Sequence, residues 1–198
     1  QEMADAAVAT ADKHYDAPHV MAAIAYCNAG GLAIERGRVT EAKRLIDRTL
    51  EIDGALNRRH VHALSCLVHA SEIALWQRDL AAARRHVDAF DKMRVDLGLG
   101  TDSGWYAWAC IHRMRAALLE DDTAGALAAR RACPAVPGDM PAMALESGAL
   151  ALRVGDLAAA QAHLAPPEGE PPRDAPHGLR RWRLHLALLD ATDPAAAA

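Results

Sequence analysis

A short turn segment that recurs along the chain constrains the fold more than any other sequence feature. RGRVTEA at 36–42 has counterparts at 77–83, 120–126 and 153–160. The turn positions of successive segments lie 41, 43 and 34 residues apart, a range that is typical of helical-hairpin repeats. These turn positions are Gly37, Arg78, Asp121 and Gly155.

Alanine occupies two fixed places around each turn. One alanine stands four residues before the turn position and another five residues after it. Small residues at matched points let two helices approach closely across a short turn, as a helical hairpin requires. We therefore expect Gly37 to end one helix so that the next can fold back on it. The alanines are Ala33, Ala74, Ala117 and Ala151 before the turns, and Ala42, Ala83, Ala126 and Ala160 after them.

Composition and periodicity predict an all-α protein. Apolar residues make up 52% of the 198 residues but aromatic residues only 4%, which favours close-packed helices over a β-sheet. The pattern indicates an α-solenoid of four to five antiparallel helical hairpins with a C-terminal capping helix. Helices are expected at about 2–15, 18–36, 40–53, 58–77, 80–97, 104–120, 123–132, 140–154, 157–165 and 177–190.

One proline-rich stretch divides the chain. We expect a helical repeat domain over 1–165, a linker over 166–176 and a capping helix over 177–190, since the five prolines between 165 and 176 cannot continue a helix. The last segment is either a docked cap or the start of a further region. In the first case Trp182 caps the last hairpin, while the neighbouring arginines, Arg180, Arg181 and Arg183, stay solvated.

Charge and hydropathy exclude several functions. The net charge is −4 with both signs interspersed, which argues against direct nucleic-acid contact. The longest apolar run, 20–27, is far shorter than the ~18 residues that a membrane span needs. The chain opens on Gln1 without a signal segment, so we expect a soluble domain cut from a longer protein.

The four cysteines lie far apart, and none belongs to a C-x-x-C pair. Three of them, Cys27, Cys66 and Cys110, fall within helical patterns, where cysteine usually acts as a small buried hydrophobe. Cys133 is the fourth. This usage suggests a reducing cytoplasm.

The first hairpin resembles a tetratricopeptide repeat, with Tyr26, Gly30, Gly37 and Ala42 at its aromatic, small, turn and alanine positions. The fourth hairpin keeps the small, turn and alanine positions, while the middle two depart at the small and turn positions. The resemblance covers about 16–165. Stretches such as GRVTEAKRLIDRTLEID and RDLAAARRHVDAFDKMRVDLG also resemble the helical-repeat sensor regions of large LuxR-type and antibiotic-regulatory bacterial transcriptional activators.

This resemblance implies a function in recognition. In such activators the repeat region receives an inducer or a protein partner, while separate domains hydrolyse nucleotide and bind DNA. We therefore expect a non-catalytic sensor or interaction domain of a larger bacterial regulator. A free-standing protein interaction scaffold is the alternative, and an α-solenoid enzyme is a further one.

The resemblance also assigns a concave groove to the first helix of each hairpin. The expected occupant is a partner helix or peptide, or a small, partly apolar ligand. The alternative is that these positions form ordinary core, since apolar stripes at helical spacing usually do. Glu72 and Arg115 stand at equivalent positions of successive repeats, six residues before the turn position, and could pair. The groove residues are Ile24, Cys27, Ile34, Val68, Glu72, Leu75, Trp108, Ile111, Arg115 and Leu118.

No motif in the chain indicates a catalytic residue, a cofactor or a metal site. The chain has ten histidines, which could indicate a metal site, and His69 and His112 stand at equivalent positions of successive repeats. However, no H-E-x-x-H motif or tight cluster of ligands accompanies them. We expect solvated or hydrogen-bonded histidines instead.

Overall fold

The computed structural model describes residues 2–57, 61–133, 140–164 and 176–192. Within these ranges all regular secondary structure is helical, which confirms the all-α prediction, and each of the ten expected helices has a counterpart. The helices are α1 (Glu2–His14), α2 (Val20–Glu35), α3 (Val39–Leu56), α4 (Val61–Trp76), α5 (Leu80–Asp96), α6 (Gly104–Leu119), α7 (Thr123–Ala132), α8 (Pro141–Val154), α9 (Leu157–His163) and α10 (Pro176–Thr192).

The four recurring turns share one backbone conformation. Each turn position has a left-handed φ, of 72° at Gly37, 58° at Arg78, 60° at Asp121 and 75° at Gly155. At each turn the amide of the next residue donates a hydrogen bond to the carbonyl five residues earlier. At the second turn, for example, the Asp79 amide donates to the Ala74 carbonyl at 2.9 Å. This bond satisfies a carbonyl that the helix end leaves without a partner, so the turn both ends one helix and starts the next.

Three of these turns are followed by an aspartate that caps the next helix. Asp79, Asp122 and Asp156 each accept a hydrogen bond from the backbone amide three residues later, at 2.8–3.0 Å. A side-chain cap of this kind stabilises a helix by about 1 kcal/mol. The first turn has Arg38 in place of the aspartate, and no side-chain cap bond forms there.

The helices pack chiefly in four pairs of consecutive antiparallel helices: α2 with α3, α4 with α5, α6 with α7, and α8 with α9. The alanines around the turns lie at these packing surfaces. Ala33 and Ala42 are both fully buried in one hydrophobic cluster. The later alanines are buried as well: Ala117 and Ala126 lie in one cluster, Ala151 and Ala160 lie in another, and Ala74 and Ala83 are 5% and 1% exposed.

The contacts group the chain into two compact units, 1–100 and 101–198. In the first unit, helices α1 to α4 contribute residues to two clusters, and α5 packs on α4. One is built around Ile46 and Ile73, and the other around Tyr26 and Leu45. The helix α1 packs on α2 and contributes Ala11 to the second cluster. The first unit therefore contains two of the four hairpins and one additional helix.

The second unit contains the other two hairpins and α10. Met114 and Ala107 lie in a cluster shared by α6, α7 and α8, while Leu164 and Leu188 lie in a cluster that joins α8 and α9 to α10. The helix α10 thus packs on α8 and α9. Most of the predicted linker, 166–175, lies outside the described residues, and so does the side chain of Trp182.

The helix α3 extends beyond its expected end. The helix α3 is expected to end at about residue 53, but it continues through Gly54 to Leu56 and is followed by Asn57, which has a left-handed φ of 46°. Ile52 is buried and Leu56 packs against the same cluster, so tertiary contacts hold the last turn helical despite the glycine.

Candidate functional site

The ten predicted groove residues divide into a buried half and a partly exposed half. Five are core residues, and the surface available for recognition is therefore smaller than the sequence suggests. Cys27, Ile34, Glu72, Leu75 and Ile111 are buried, while Ile24, Val68, Trp108, Arg115 and Leu118 are partly exposed.

One of the predicted groove residues, Cys27, forms a disulfide bond in the first unit. Cys27 on α2 and Cys66 on α4 are bonded, with their Cα atoms 5.7 Å apart. The interpretation of these two residues as separate buried thiols is wrong, because the two helices face each other at this point. Their sequence separation of 39 residues is close to one repeat length, and this spacing was the signal that could have predicted the bond.

One turn further along, a histidine packs into the space that a glycine leaves. A Cβ atom added to Gly31 on α2 would lie 2.8 Å from His69 Nε2 on α4. Burial lowers the pKa of His69, and the nearby Glu72 and Glu35 carboxylates oppose that shift. His69 is therefore a packed side chain between two helices rather than a solvated one.

Glu72, the acid expected in the groove, is buried and bonded within its own helix. Its carboxylate accepts a hydrogen bond from Trp76 Nε1, one helical turn later. A buried carboxylate needs such a donor, since an unsatisfied one would be strongly destabilising. The expected pairing of Glu72 with Arg115 stays a prediction.

In the second unit, three aromatic side chains open the helix α6. Trp105, Tyr106 and Trp108, which we call the α6 aromatic group, are all partly exposed. The Trp108 ring contacts the buried His112 edge-on, with ring centroids 6.3 Å apart. Trp108 thus packs against the cluster beneath α6 and remains partly exposed. Trp105 and Tyr106 are not among the predicted groove residues, although both stand beside Trp108 in the sequence.

Two further predicted groove residues continue along α6. Arg115 stands seven residues after Trp108, which places both on one side of the helix, and Leu118 follows three residues later. Both are partly exposed. Ile111 lies between them in sequence but is buried in the cluster below. The exposed part of α6 therefore combines aromatic, aliphatic and cationic side chains.

The corresponding stretch of α8 is covered by α10. Glu146 is buried, and its carboxylate binds the Arg180 guanidinium through two contacts, one of them 2.6 Å between Nη2 and Oε2. The expectation that Arg180 stays solvated is therefore wrong, because a buried acid on the facing helix recruits it. Arg183 is exposed. No pattern local to α8 distinguishes Glu146 from a surface acid.

Two clefts of about 220 Å³ each lie in the first unit, and neither is lined by a predicted groove residue. The first is enclosed by α1, α2 and α3, and Arg38 on its wall pairs with Glu41 at 2.6 Å. The second lies among α3, α4 and α5, where Lys43 pairs with Asp47 at 2.5 Å. Both clefts have charged walls that form ion pairs within the protein, unlike the apolar groove that the sequence predicts.

The part of the chain that the structure describes contains no group of three or more histidine, cysteine, aspartate or glutamate residues placed to hold a metal ion. No helix in that part is long and apolar enough to cross a membrane. No family model, curated protein or solved structure matches the chain.

Proposed function

We propose that this chain is a non-catalytic binding domain whose four hairpins are tetratricopeptide-like repeats, and that it is the sensor or interaction part of a larger bacterial transcriptional regulator. The uniform turns and the buried alanine pairs support the repeat assignment. The assignment to a regulator rests on the resemblance of α3 and α5, the second helices of the first two hairpins, to such sensor regions. The architecture of the full-length gene tests it, since a scaffold would lack nucleotide-hydrolysing and DNA-binding domains.

The observation that carries the binding proposal is the partial exposure of the α6 aromatic group. The chain contains only eight aromatic residues, four Trp, three Tyr and one Phe, and three of them stand together at the start of one helix. A large aromatic side chain that the core could bury but that remains partly in water is typical of recognition surfaces, where tryptophan and tyrosine are enriched.

The chemistry of this surface favours an amphipathic helix as the partner. Trp108 and Leu118 offer apolar contacts, and Arg115 places a positive charge on the same helix. Apolar anchors combined with a charge that specifies orientation are the usual arrangement for a helix docked on a helical surface. The buried Glu72 and Glu146 serve structural contacts, with Trp76 and Arg180, which favours binding over catalysis.

We place the protein in the cytoplasm, as expected for part of a transcriptional regulator. Disulfides are rare in that compartment, and those that form there are usually transient or redox-responsive. The bond between Cys27 and Cys66 is thus expected to be reduced for part of the time in the cell. Mass spectrometry of protein alkylated during cell lysis measures that fraction, and a fully oxidised bond in every sample would contradict a cytoplasmic location.

Tryptophan fluorescence tests the binding proposal. We would titrate the purified chain with a library of amphipathic helical peptides and, in parallel, with a set of partly apolar metabolites. The proposal expects peptide ligands that shift the emission of the wild type. Trp76, Trp105 and Trp182 also emit, so Trp108→Phe is the optical control: it should bind the same peptides with a smaller shift. Ligands found only among metabolites would replace the partner helix with a small molecule.

A further inference from the structure

The two cysteines outside the disulfide lie together in the second unit. Cys110 is buried in the cluster between α6, α7 and α8. Cys133 directly follows the last residue of α7 and packs against that cluster while staying partly exposed. Their side chains are hydrogen-bonded to each other. Cys133 is therefore the more exposed of two neighbouring cysteines, and Cys110 is the shielded one.

The surroundings of Cys133 favour its thiolate. The hydrogen bond with Cys110 lowers the pKa of the Cys133 thiol, and the positive charges of Arg130 and Arg113 lower that pKa further, against the burial that raises it. Arg130 is held in place because its Nε donates to Ser147 Oγ on α8 at 3.2 Å. The thiolate is the reactive form of cysteine, so these neighbours increase the reactivity of Cys133 at neutral pH.

We propose that Cys133 is a modification site for hydroperoxides and that Cys110 resolves the oxidised product as an intramolecular disulfide. This inference is independent of the proposed binding function. It uses a pair of neighbouring thiols in which one is accessible and the other is shielded, which is the usual arrangement of a redox-sensitive cysteine and its resolving partner.

The chemistry balances in two steps. The Cys133 thiolate attacks the terminal oxygen of a hydroperoxide, so that a sulfur–oxygen bond forms and the oxygen–oxygen bond breaks. Cys133 is oxidised to a sulfenic acid, and the leaving alkoxide takes a proton from water to become an alcohol. The sulfur of Cys110 then attacks the Cys133 sulfur, and the hydroxyl group departs with the Cys110 proton as water. Two thiols and one hydroperoxide thus give a disulfide, an alcohol and water.

The other pair of cysteines does not compete for this role. Cys27 and Cys66 are each 1% exposed, so an oxidant or a reductant reaches them only when the helices move apart. A bond between Cys110 and Cys133, by contrast, would begin at an accessible sulfur. It would tie the middle of α6 to the end of α7.

The test treats the whole chain with tert-butyl hydroperoxide at pH 7, blocks the remaining thiols with N-ethylmaleimide and maps the peptides by mass spectrometry. We expect a disulfide between Cys110 and Cys133 in monomeric protein. In Cys110→Ser we expect a sulfenic acid at Cys133 that dimedone traps. In Cys133→Ser we expect oxidation of Cys110 to be at least about tenfold slower, because burial shields that thiol.

Two further measurements keep the inference testable if a variant folds poorly. In the wild type, isotope-coded iodoacetamide should label Cys133 at least about tenfold faster than Cys110. Arg130→Gln should slow that labelling several-fold, whereas Arg131→Gln, an exposed neighbour, should leave it unchanged. Equal labelling of the two cysteines, or oxidation that yields only intermolecular disulfides, would overturn the inference.

Discussion

Gly148 on α8 packs directly against Leu164 at the end of α9: a Cβ atom added at Gly148 would lie 2.5 Å from Leu164 Cγ. Leu164 is itself 2% exposed, so it has little room to move. The glycine is therefore required by the close approach of the two segments. The same small position in the first hairpin is Gly30, where an added Cβ would lie 2.7 Å from Ile46 Cδ1.

Gly148→Ala should lower the free energy of unfolding by about 1–3 kcal/mol, because overpacking the core costs more than the ~1 kcal/mol that alanine gains over glycine in a helix. Gly54→Ala is the matched control. It lies within α3 and a Cβ there would meet nothing within 4 Å, so this variant should be stabilised by up to about 1 kcal/mol. Urea unfolding measures both variants, and a stabilised Gly148→Ala would contradict the packing.

The disulfide between Cys27 and Cys66 should contribute about 2–4 kcal/mol to stability, because it closes a loop of 39 residues in the unfolded chain. Unfolding the wild type in urea with and without tris(carboxyethyl)phosphine measures this contribution. Cys27→Ala/Cys66→Ala should unfold at the same urea concentration in both conditions. A wild-type midpoint that does not respond after complete reduction, verified by mass, would show that the bond adds nothing.

Arg180→Met should detach or weaken the docking of α10 and lower stability by about 2–3 kcal/mol. The substitution leaves the buried Glu146 carboxylate without its cation, and Arg180 itself is partly exposed, which reduces the effect below that of a fully buried pair. Arg183→Met, an exposed arginine on the same helix, is the control and should be neutral. Adding Glu146→Leu to Arg180→Met should restore much of the loss, and thermal unfolding of all four proteins decides the matter.

His69 predicts a dependence of stability on pH. Burial lowers the pKa of His69 in the folded protein, so the unfolded chain binds a proton more readily than the folded one. Its neutral form therefore supports full stability above the unfolded pKa of about 6.5, and stability is lost as the pH falls below that value. His69→Gln should lose less stability than the wild type between pH 8 and pH 5. The exposed His14→Gln should behave like the wild type, and a His69→Gln curve parallel to the wild type would contradict this.

Local features explain why most of the fold could be predicted from the sequence. The helices follow from apolar periodicity, and each turn follows from a short segment that either contains glycine or is followed by a capping aspartate. Even Arg78 and Asp121, which adopt the left-handed conformation without being glycine, were located by alignment with Gly37 and Gly155. These features depend on residues within about five positions of each other, which a single sequence displays directly.

The contacts that were missed depend on which helix faces meet. Cys27 bonds Cys66 and His69 fills the space beside Gly31, because α2 and α4 are adjacent. Arg180 pairs with a buried acid 34 residues earlier in the chain. None of these is visible in a local pattern. The burial of half the predicted groove has the same cause, since a helix position cannot be assigned to a surface before its neighbouring helices are placed.

The measurement that tests the binding account most directly is the dissociation constant of the tightest peptide from the fluorescence screen for wild type, Trp108→Ala and Leu127→Ala. Leu127 is an exposed apolar residue on α7 and serves as the matched control. Trp108→Ala should weaken binding by about 30-fold or more, equivalent to about 2 kcal/mol, while Leu127→Ala should stay within about twofold of the wild type. Calorimetry measures all three without relying on tryptophan emission. A folded Trp108→Ala protein that binds as tightly as the Leu127→Ala control would show that recognition uses another surface.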